Sequence, residues 1–294
     1  MSRVAILGYG AVAAVHARRL RRSAAADIVA VFGPSEEKAR RFAQAHGIPV
    51  AATSLESACA AADTAIICSP SPRHYEQALA VLEAGLNALV ELPACESVAE
   101  ARRLEALARG RGLILRCAHT SRYLEPYLRL EGWLSEGTLG NIEQVHYLRS
   151  IPPRERSWVD DALLHHAGHP LDLFLHWWGT LRPLGCAALP QTRGAQNLAL
   201  VARLESGAPV SVAISYTARI PEVRMSVVGS RHTVITDGFS YIRSDSAGLC
   251  WQGDGEETYE HAIELQDIEF LHGGGVRWAE TVRLTALAEE FRAL

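Results

Sequence analysis

Near the N-terminus a short apolar run, Arg3 to Leu7, gives way to Gly8-Tyr9-Gly10-Ala11-Val12-Ala13 and then to an Ala/Arg/Leu-rich stretch of helical character. Strand, glycine turn and helix, in that order, constrain this chain more than any other feature. Gly8 permits the tight turn, and Gly10 lets a pyrophosphate approach the backbone. Ala13 is small enough for helix to lie on strand, with the phosphates at the helix N-terminus. The pattern predicts a dinucleotide-binding parallel α/β domain whose cofactor contacts include Gly8, Tyr9, Gly10, Ala11, Val12 and Ala13. The competing reading is a glycine-rich turn in an α/β domain that binds nothing.

The next strand is expected at Asp27 to Phe32. NAD-preferring domains carry an acid at the end of this strand to hold the ribose hydroxyls. Here Gly33-Pro34-Ser35 follows instead, with Lys38, Arg40 and Arg41 beyond it. Nothing at that position repels a 2′-phosphate, Ser35 is placed to donate to one, and Lys38 is a nearby cation. The expected cofactor is NADP. NAD is the alternative, with Glu36 or Glu37 in the acid's role.

The βα pattern repeats. Thr64 to Cys68 reads as a strand and His74 to Ala84 as a helix. Ala88 to Glu91 is a strand followed by Leu92-Pro93. Ser97 to Arg109 is a helix, and Leu113 to Cys117 a strand. Ligands of open parallel sheets lie outside the carboxyl ends of the strands. Ser69, Pro70, Ser71, His74, Glu91 and Leu92 are therefore cofactor candidates, and His119 a second acid–base candidate. This Rossmann domain is expected to span residues 1–119.

After about residue 120 the periodicity changes. A helix at Tyr123 to Ser135 and a strand at Asn141 to Ser150 precede a Pro/Arg loop, Ile151 to Trp158. Short alternating runs then dominate: Gln196 to Leu204, Pro209 to Thr217, Glu222 to Val228 and Arg231 to Thr236, separated by tight turns. They predict a largely antiparallel open sheet in an α+β substrate and dimerisation domain over 120–294, with a final helix, 277–293, packing back on the first domain. The fold class is thus α/β, a Rossmann parallel sheet followed by an α+β domain.

Net charge is −4, which makes no electrostatic case for nucleic acid. The cluster Arg18, Arg19, Arg21, Arg22 reads as a solvated helix face. No apolar run approaches the ~18 residues that span a bilayer, and no signal peptide is evident. None of the six cysteines forms a CxxC pair, so a reduced, cytoplasmic protein is expected. The Val/Ile/Ala-rich faces of the second sheet predict a homodimer.

Chemistry concentrates in Leu163 to Gly179, which holds four of the twelve histidines. On a helix, His165, His169 and Asp172 at i, i+4, i+7 share one face. Imidazole has an unperturbed pKa near ~6.5 and suits proton transfer at neutral pH. His169 is the candidate general base or acid, with His165 beside it and Asp172 orienting a ring or holding a substrate hydroxyl. Arg122, Trp158 and His166 are substrate-binding candidates, and Arg154 and Arg156 assist from the loop. For each the bland alternative is core packing or surface solvation. The same spacing also suits zinc, but a metal hydrolase would leave the glycine motif idle, so no metal is expected.

Several stretches resemble the glucose-fructose oxidoreductase/inositol dehydrogenase (Gfo/Idh/MocA) family. They are Gly8-Tyr9-Gly10 with His16, Cys68-Ser69-Pro70-Ser71, Glu91-Leu92-Pro93, His119-Thr120-Ser121-Arg122-Tyr123 and the His-rich segment. The likeness covers nearly the whole chain and implies a nicotinamide-dependent dehydrogenase. Two departures stand out. The family tripeptide is usually Glu-Lys-Pro, with a lysine that helps move the proton, and here the position is Leu92. The family's helix motif usually starts with Asp four residues before its catalytic histidine. Here that Asp is His165, while His169 and Asp172 match. One branch of the family shares both departures, uses NADP and oxidises a cyclic hemiacetal to a lactone. The resemblance thus implies hydride transfer between NADP and a hydroxyl, hemiacetal or aldehyde carbon of a small polar substrate, carboxylated in that branch. The alternatives are reduction of a keto-sugar or imine, or a nucleotide-binding member without catalysis.

Overall fold

The first strand, β1 (Ser2–Leu7), runs through the Gly8–Gly10 turn directly into α1 (Ala11–Ser23). The computed structural model describes residues 1–153, 158–190 and 194–294. Alternation continues with β2 (Ala26–Phe32), α2 (Glu36–His46), β3 (Val50–Ala52), α3 (Leu55–Cys59), β4 (Thr64–Ile67), α4 (His74–Glu83), β5 (Asn87–Glu91), α5 (Val98–Arg111) and β6 (Leu115–Ala118). Local signals set these boundaries. Ser35 and Ser97 cap the starts of α2 and α5, which end at left-handed Gly47 and Gly112.

The six strands pair in parallel in the order β3-β2-β1-β4-β5-β6. Strand order reverses beside β1, which opens a crevice at the carboxyl ends of β1 and β4. Both faces are covered, which is why β4 is buried along its whole length. Val4, Ile6, Val31, Ile66 and Leu89 of the strands, Ala13, Ala17 and Leu20 of α1, and Phe270 from far along the chain form one core.

Following β6 come α6 (Glu125–Ser135), β7 (Ile142–Ser150), α7 (Gly168–Trp178), β8 (Leu181–Leu189), β9 (Asn197–Leu204), β10 (Pro209–Ser215), β11 (Glu222–Gly229), β12 (Thr233–Thr236), β13 (Tyr241–Ser244) and β14 (Trp251–Gln252). Two helices, α8 (Gly255–Leu271) and α9 (Trp278–Arg292), end the chain. The second sheet has the order β14-β13-β12-β11-β7-β10-β9-β8. Its pairs are antiparallel except β7 with β10, which run parallel. Alternation is clean: Leu198, Leu200, Ala202 and Leu204 of β9 are buried, and the residues between them face outward.

The chain divides into two units, Met1–His119 with Ile263–Thr285, and Thr120–Ala262 with Ala286–Leu294. Within the first, the end of α8 lies against α1, and this changes the reading of the arginine cluster. Arg18, Arg21 and Arg22 are exposed, but Arg19 is buried and pairs with Glu264 at 3.6 Å. Arg19 follows His16 by three residues on one face of α1, and that face meets acids on α8.

The His-rich segment also departs from the single helix expected of it. His165 and His166 lie in turns spanning 162–167, and α7 starts only at Gly168. Pro170 is the reason. It has no N–H for the carbonyl of His166, and its ring crowds that carbonyl, so a regular helix cannot continue back through the histidines. Arg154 and Arg156 lie outside the described residues. Among the described residues no helix is long and apolar enough to cross a membrane.

Candidate active site

The α1 N-terminus has the features that suit an anion. Its cap, Gly10, makes no side-chain cap hydrogen bond, and the first turn holds no acid. A Cβ at Gly10 would meet nothing within 4 Å, so a ligand can reach the backbone. Gly8 has φ +128°, and a Cβ there would stand 2.6 Å from the Cys68 carbonyl oxygen. Only glycine lets the turn lie this close to the end of β4.

The missing acid after β2 has a packing explanation. A Cβ on Gly33 would overlap the Tyr9 ring, so Tyr9 occupies the space a side chain would need. Pro34 is exposed, and Ser35 accepts from the Lys38 amide at 3.4 Å. Glu36 and Glu37, the alternative acids, form i,i+4 pairs with Arg40 and Arg41. Together these features fit a dinucleotide with its pyrophosphate at Gly10.

At the other strand ends, Ser69 donates to Gln77 at 2.7 Å, and Pro70 and Ser71 start a short 3-10 turn. His74 is buried, with its ring nitrogens 2.7 Å from the Ser69 carbonyl and 2.8 Å from that of Pro93, and so joins the loops after β4 and β5. Leu92 is buried. His119 is also buried, 3.1 Å from the Thr281 hydroxyl.

Beneath these ends sits an ionic cluster that local sequence does not reveal. His16 Nδ1 is 2.6 Å from Asp267 Oδ2, and Nε2 is 3.1 Å from Glu91 Oε1. Ionised carboxylates only accept, so both ring nitrogens must donate and His16 is an imidazolium. Burial pushes its pKa down, but Asp267 and Glu91 outweigh burial and raise it to about 10. Burial drives Asp267 upward while His16 opposes it. We place the shared proton on His16, because the ring faces two carboxylates.

In the second unit a cavity of about 210 Å³ is lined by residues that include Trp158, Asp160, His165, His166, Gln196 and Tyr216. The parallel β7/β10 pair explains its position. Ile151, after β7, bonds the carbonyl of Ser215, and Tyr216, after β10, bonds that of Gln196 just before β9. Three segments therefore emerge side by side at one end of the sheet.

Asp161 presents the histidines to this cavity. Its Oδ1 accepts from the amides of Leu163 and Leu164, and its Oδ2 from Gly194 and Arg292. His165 Nδ1 is 3.1 Å from the Tyr216 hydroxyl and 3.7 Å from Asp160 Oδ2. Trp158 donates its indole N–H to Asp160 at 3.1 Å. Burial pushes the Tyr216 pKa far up, so the phenol stays protonated and able to donate.

Ligand atoms of His165, His166 and His169 lie within 4.8 Å of one another, yet the rings are poorly aimed at a shared metal. His165 stacks on His166 with centroids 4.1 Å apart and planes 21° from parallel. Imidazole lone pairs lie in the ring plane, and two planes so arranged do not meet within a coordination distance of ~2 Å. Arg122 and Asp172 are brought together: Nε and Nη2 donate to the two carboxylate oxygens at 2.8 and 2.7 Å, with side chains 9 % and 2 % exposed. Asp172 thus holds Arg122 by a two-pronged ion pair.

Sequence reasoning passed over Asp160, Asp161, Gln196 and Tyr216. The only local hint was Asp160-Asp161 ahead of the histidines, in capping position. Nothing near Tyr216 ties it to residues some fifty positions earlier.

Residues 2–119 match the family model described as an oxidoreductase family with NAD-binding Rossmann fold. The chain is 26 % identical over 286 residues to 4-carboxy-2-hydroxymuconate-6-semialdehyde dehydrogenase of Sphingobium sp. (strain NBRC 103272 / SYK-6), covering 92 % of this chain and 89 % of that protein. It is 28 % identical over 146 residues to the scyllo-inositol 2-dehydrogenase (NADP(+)) of Bacillus subtilis (strain 168), covering 47 % of this chain and 41 % of that one. Its fold is shared, at TM-score 0.83 and 18 % identity, with the crystal structure of a putative myo-inositol dehydrogenase from Sinorhizobium meliloti 1021, over 100 % of this chain and 98 % of that one. A Rossmann unit with a glycine turn into its first helix, a second unit on a mostly antiparallel sheet, and relatives named as dehydrogenases converge: residues 2–119 form the NAD-binding Rossmann domain of the oxidoreductase family that the model describes, and the chain is a nicotinamide-dependent enzyme similar to the Gfo/Idh/MocA oxidoreductases.

Proposed function

We propose that the enzyme transfers hydride between NADP and a hydroxyl, hemiacetal or aldehyde carbon of a small polar substrate. The cavity after β7 and β10 is the substrate site and the imidazole cluster the proton carrier. One observation carries this reading: His165 and Tyr216, hydrogen-bonded to each other, line the same cavity, while Leu92 stands where the family's lysine would be. A nicotinamide, when bound, supplies the hydride acceptor or donor. The carbon gives up hydride as its hydroxyl gives up a proton, and that proton needs a base. Asp160 beside Nδ1 favours the Nδ1–H tautomer of His165 and leaves Nε2 basic. Tyr216 O–H orients the substrate oxygen. His166 stacks against the base, and His169 extends the relay.

Asp160, His165, Gln196 and Tyr216 give the cavity a polar lining that suits a small hydroxyl-bearing substrate, carboxylated or not. NADP preference is supported by Gly33 and Ser35 after β2 and by Lys38 nearby, and it matches the cofactor in the name of the Bacillus subtilis relative. A cytoplasmic homodimer fits the free thiols of all six cysteines and the outward Ala199 and Val201 of β9. Sedimentation velocity tests the dimer.

The cofactor reading is tested by fluorescence titration with NADPH and NADH on wild type and Ser35→Asp, which keeps a helix cap. Tight NADPH and weak NADH binding, reversed in the variant, is the expected result. No binding of either nucleotide refutes it. Turnover on lactols and sugars, lost in His165→Ala and His169→Ala with cofactor affinity retained, is the expected catalytic result. No turnover on any hydroxyl, hemiacetal or aldehyde substrate, with cofactor bound, would refute the substrate class.

A further inference from the structure

The Asp267–His16–Glu91 cluster is absorbed neither by the pyrophosphate site nor by the proton carrier of the second unit. It joins three elements of the first unit. Asp267 lies on α8, His16 on α1, and Glu91 closes β5, whose carboxyl end is where a ligand of a parallel sheet sits. Asp267 and His16 are fully buried, whereas Glu91 keeps 18 % of its side chain exposed. His16 holds one oxygen of Glu91, Oε1, and so fixes the carboxylate at the strand end. One positive and two negative charges leave the cluster a single net negative charge, in surroundings that screen poorly. Burial, and after it the carboxylates of Glu91 and Asp267, raise the pKa of the Cys68 thiol just after β4 well above the usual value.

We propose that the carboxylate of Glu91, held in place by His16, makes the site prefer the oxidised cofactor, whose nicotinamide ring is positively charged, over the reduced cofactor, whose ring is neutral. The inference rests on the nicotinamide-dependent reading and adds a direction to it. A site that holds the oxidised form tightly and lets the reduced form go is suited to oxidising its substrate. Glu91 is a positioning and electrostatic residue in this account, not the group that moves the substrate's proton. A purely structural clamp would leave the two redox forms equally affected by its loss.

Dissociation constants for NADP⁺, NADPH, NAD⁺ and NADH on the whole chain, by calorimetry or fluorescence, provide the test. If the ring comes to the carboxyl end of β5, a unit charge there in a partly screened site would be worth about a factor of ten in affinity. Wild type is expected to bind the oxidised form of its preferred cofactor about tenfold tighter than the reduced form. Glu91→Gln keeps an acceptor for His16 and removes the charge, and is expected to bring the two affinities together. Glu91→Asp keeps the charge and retains the preference. Glu83→Gln makes the same change in net charge on an exposed helix end and leaves the ratio untouched.

An unchanged ratio in Glu91→Gln overturns the proposal while leaving the cofactor reading intact. A wild type that binds the reduced form as tightly or more tightly overturns it without any variant, which covers the case of a variant that does not fold. Binding of no nucleotide by wild type overturns both readings.

Discussion

Replacing His16 by Gln removes the one positive charge between Asp267 and Glu91, and its cost can be worked from the structure. The imidazole titrates at about 10 in the folded protein against an ordinary 6.5. A raised folded pKa means that the stabilisation is complete below about pH 6.5 and is lost as pH rises through about 10. At ~1.36 kcal/mol per pH unit, the gap corresponds to on the order of 5 kcal/mol. Removing one partner of a buried ion pair costs ~3–5 kcal/mol by a separate route. In the variant Asp267 relieves part of the cost by taking up a proton, so about 3 kcal/mol is expected near neutrality. Urea unfolding of wild type and variant, followed by far-UV circular dichroism and by hydrogen exchange in α1, measures the difference at several pH values. Hydrogen exchange matters because the two units need not unfold together. The difference should be largest near pH 6.5 and shrink to about 1 kcal/mol by pH 10. A pH-independent difference, or one below about 1 kcal/mol at pH 6.5, would refute the imidazolium assignment.

Two further outcomes follow from the second unit. Tyr216→Phe removes the hydroxyl beside His165 and is expected to lower kcat by about 10²–10⁴-fold with cofactor affinity unchanged; stopped-flow hydride transfer and nucleotide titration check both halves. Arg122→Ala and Asp172→Asn each leave a buried partner, at a cost of ~3–5 kcal/mol, and the double variant should cost less than the sum. Additive costs in a double-mutant cycle by chemical denaturation would show that the pair is not coupled.

How much of this was legible in advance depends on how far apart the interacting residues lie. The Gly8–Ala13 motif, the caps at Ser35 and Ser97 and the βα alternation are written in neighbouring residues, and the structure follows them. The His-rich helix was expected and is present from Gly168 to Trp178, but its start was placed too early although the reason is local: Pro170 disfavours a regular helix back through His166. Arg19 was read as part of a solvated face because a charge run alone does not say that Glu264 will lie against it.

By itself the sequence determined that the first unit is a parallel α/β domain whose first strand turns through glycines into a helix, because backbone geometry at glycines and hydrophobic periodicity act over a few residues. It likewise singled out the histidines of Leu163 to Gly179 as candidates, two of which line the cavity. Only the tertiary structure decided what those residues meet. Asp267 reaches His16 across 251 positions, and Glu91 reaches it across 75. Tyr216 comes to His165 because β7 and β10 run parallel, and Arg122 goes to Asp172 across 50 positions. Such contacts are fixed by strand order and helix packing, which depend on how the whole core closes.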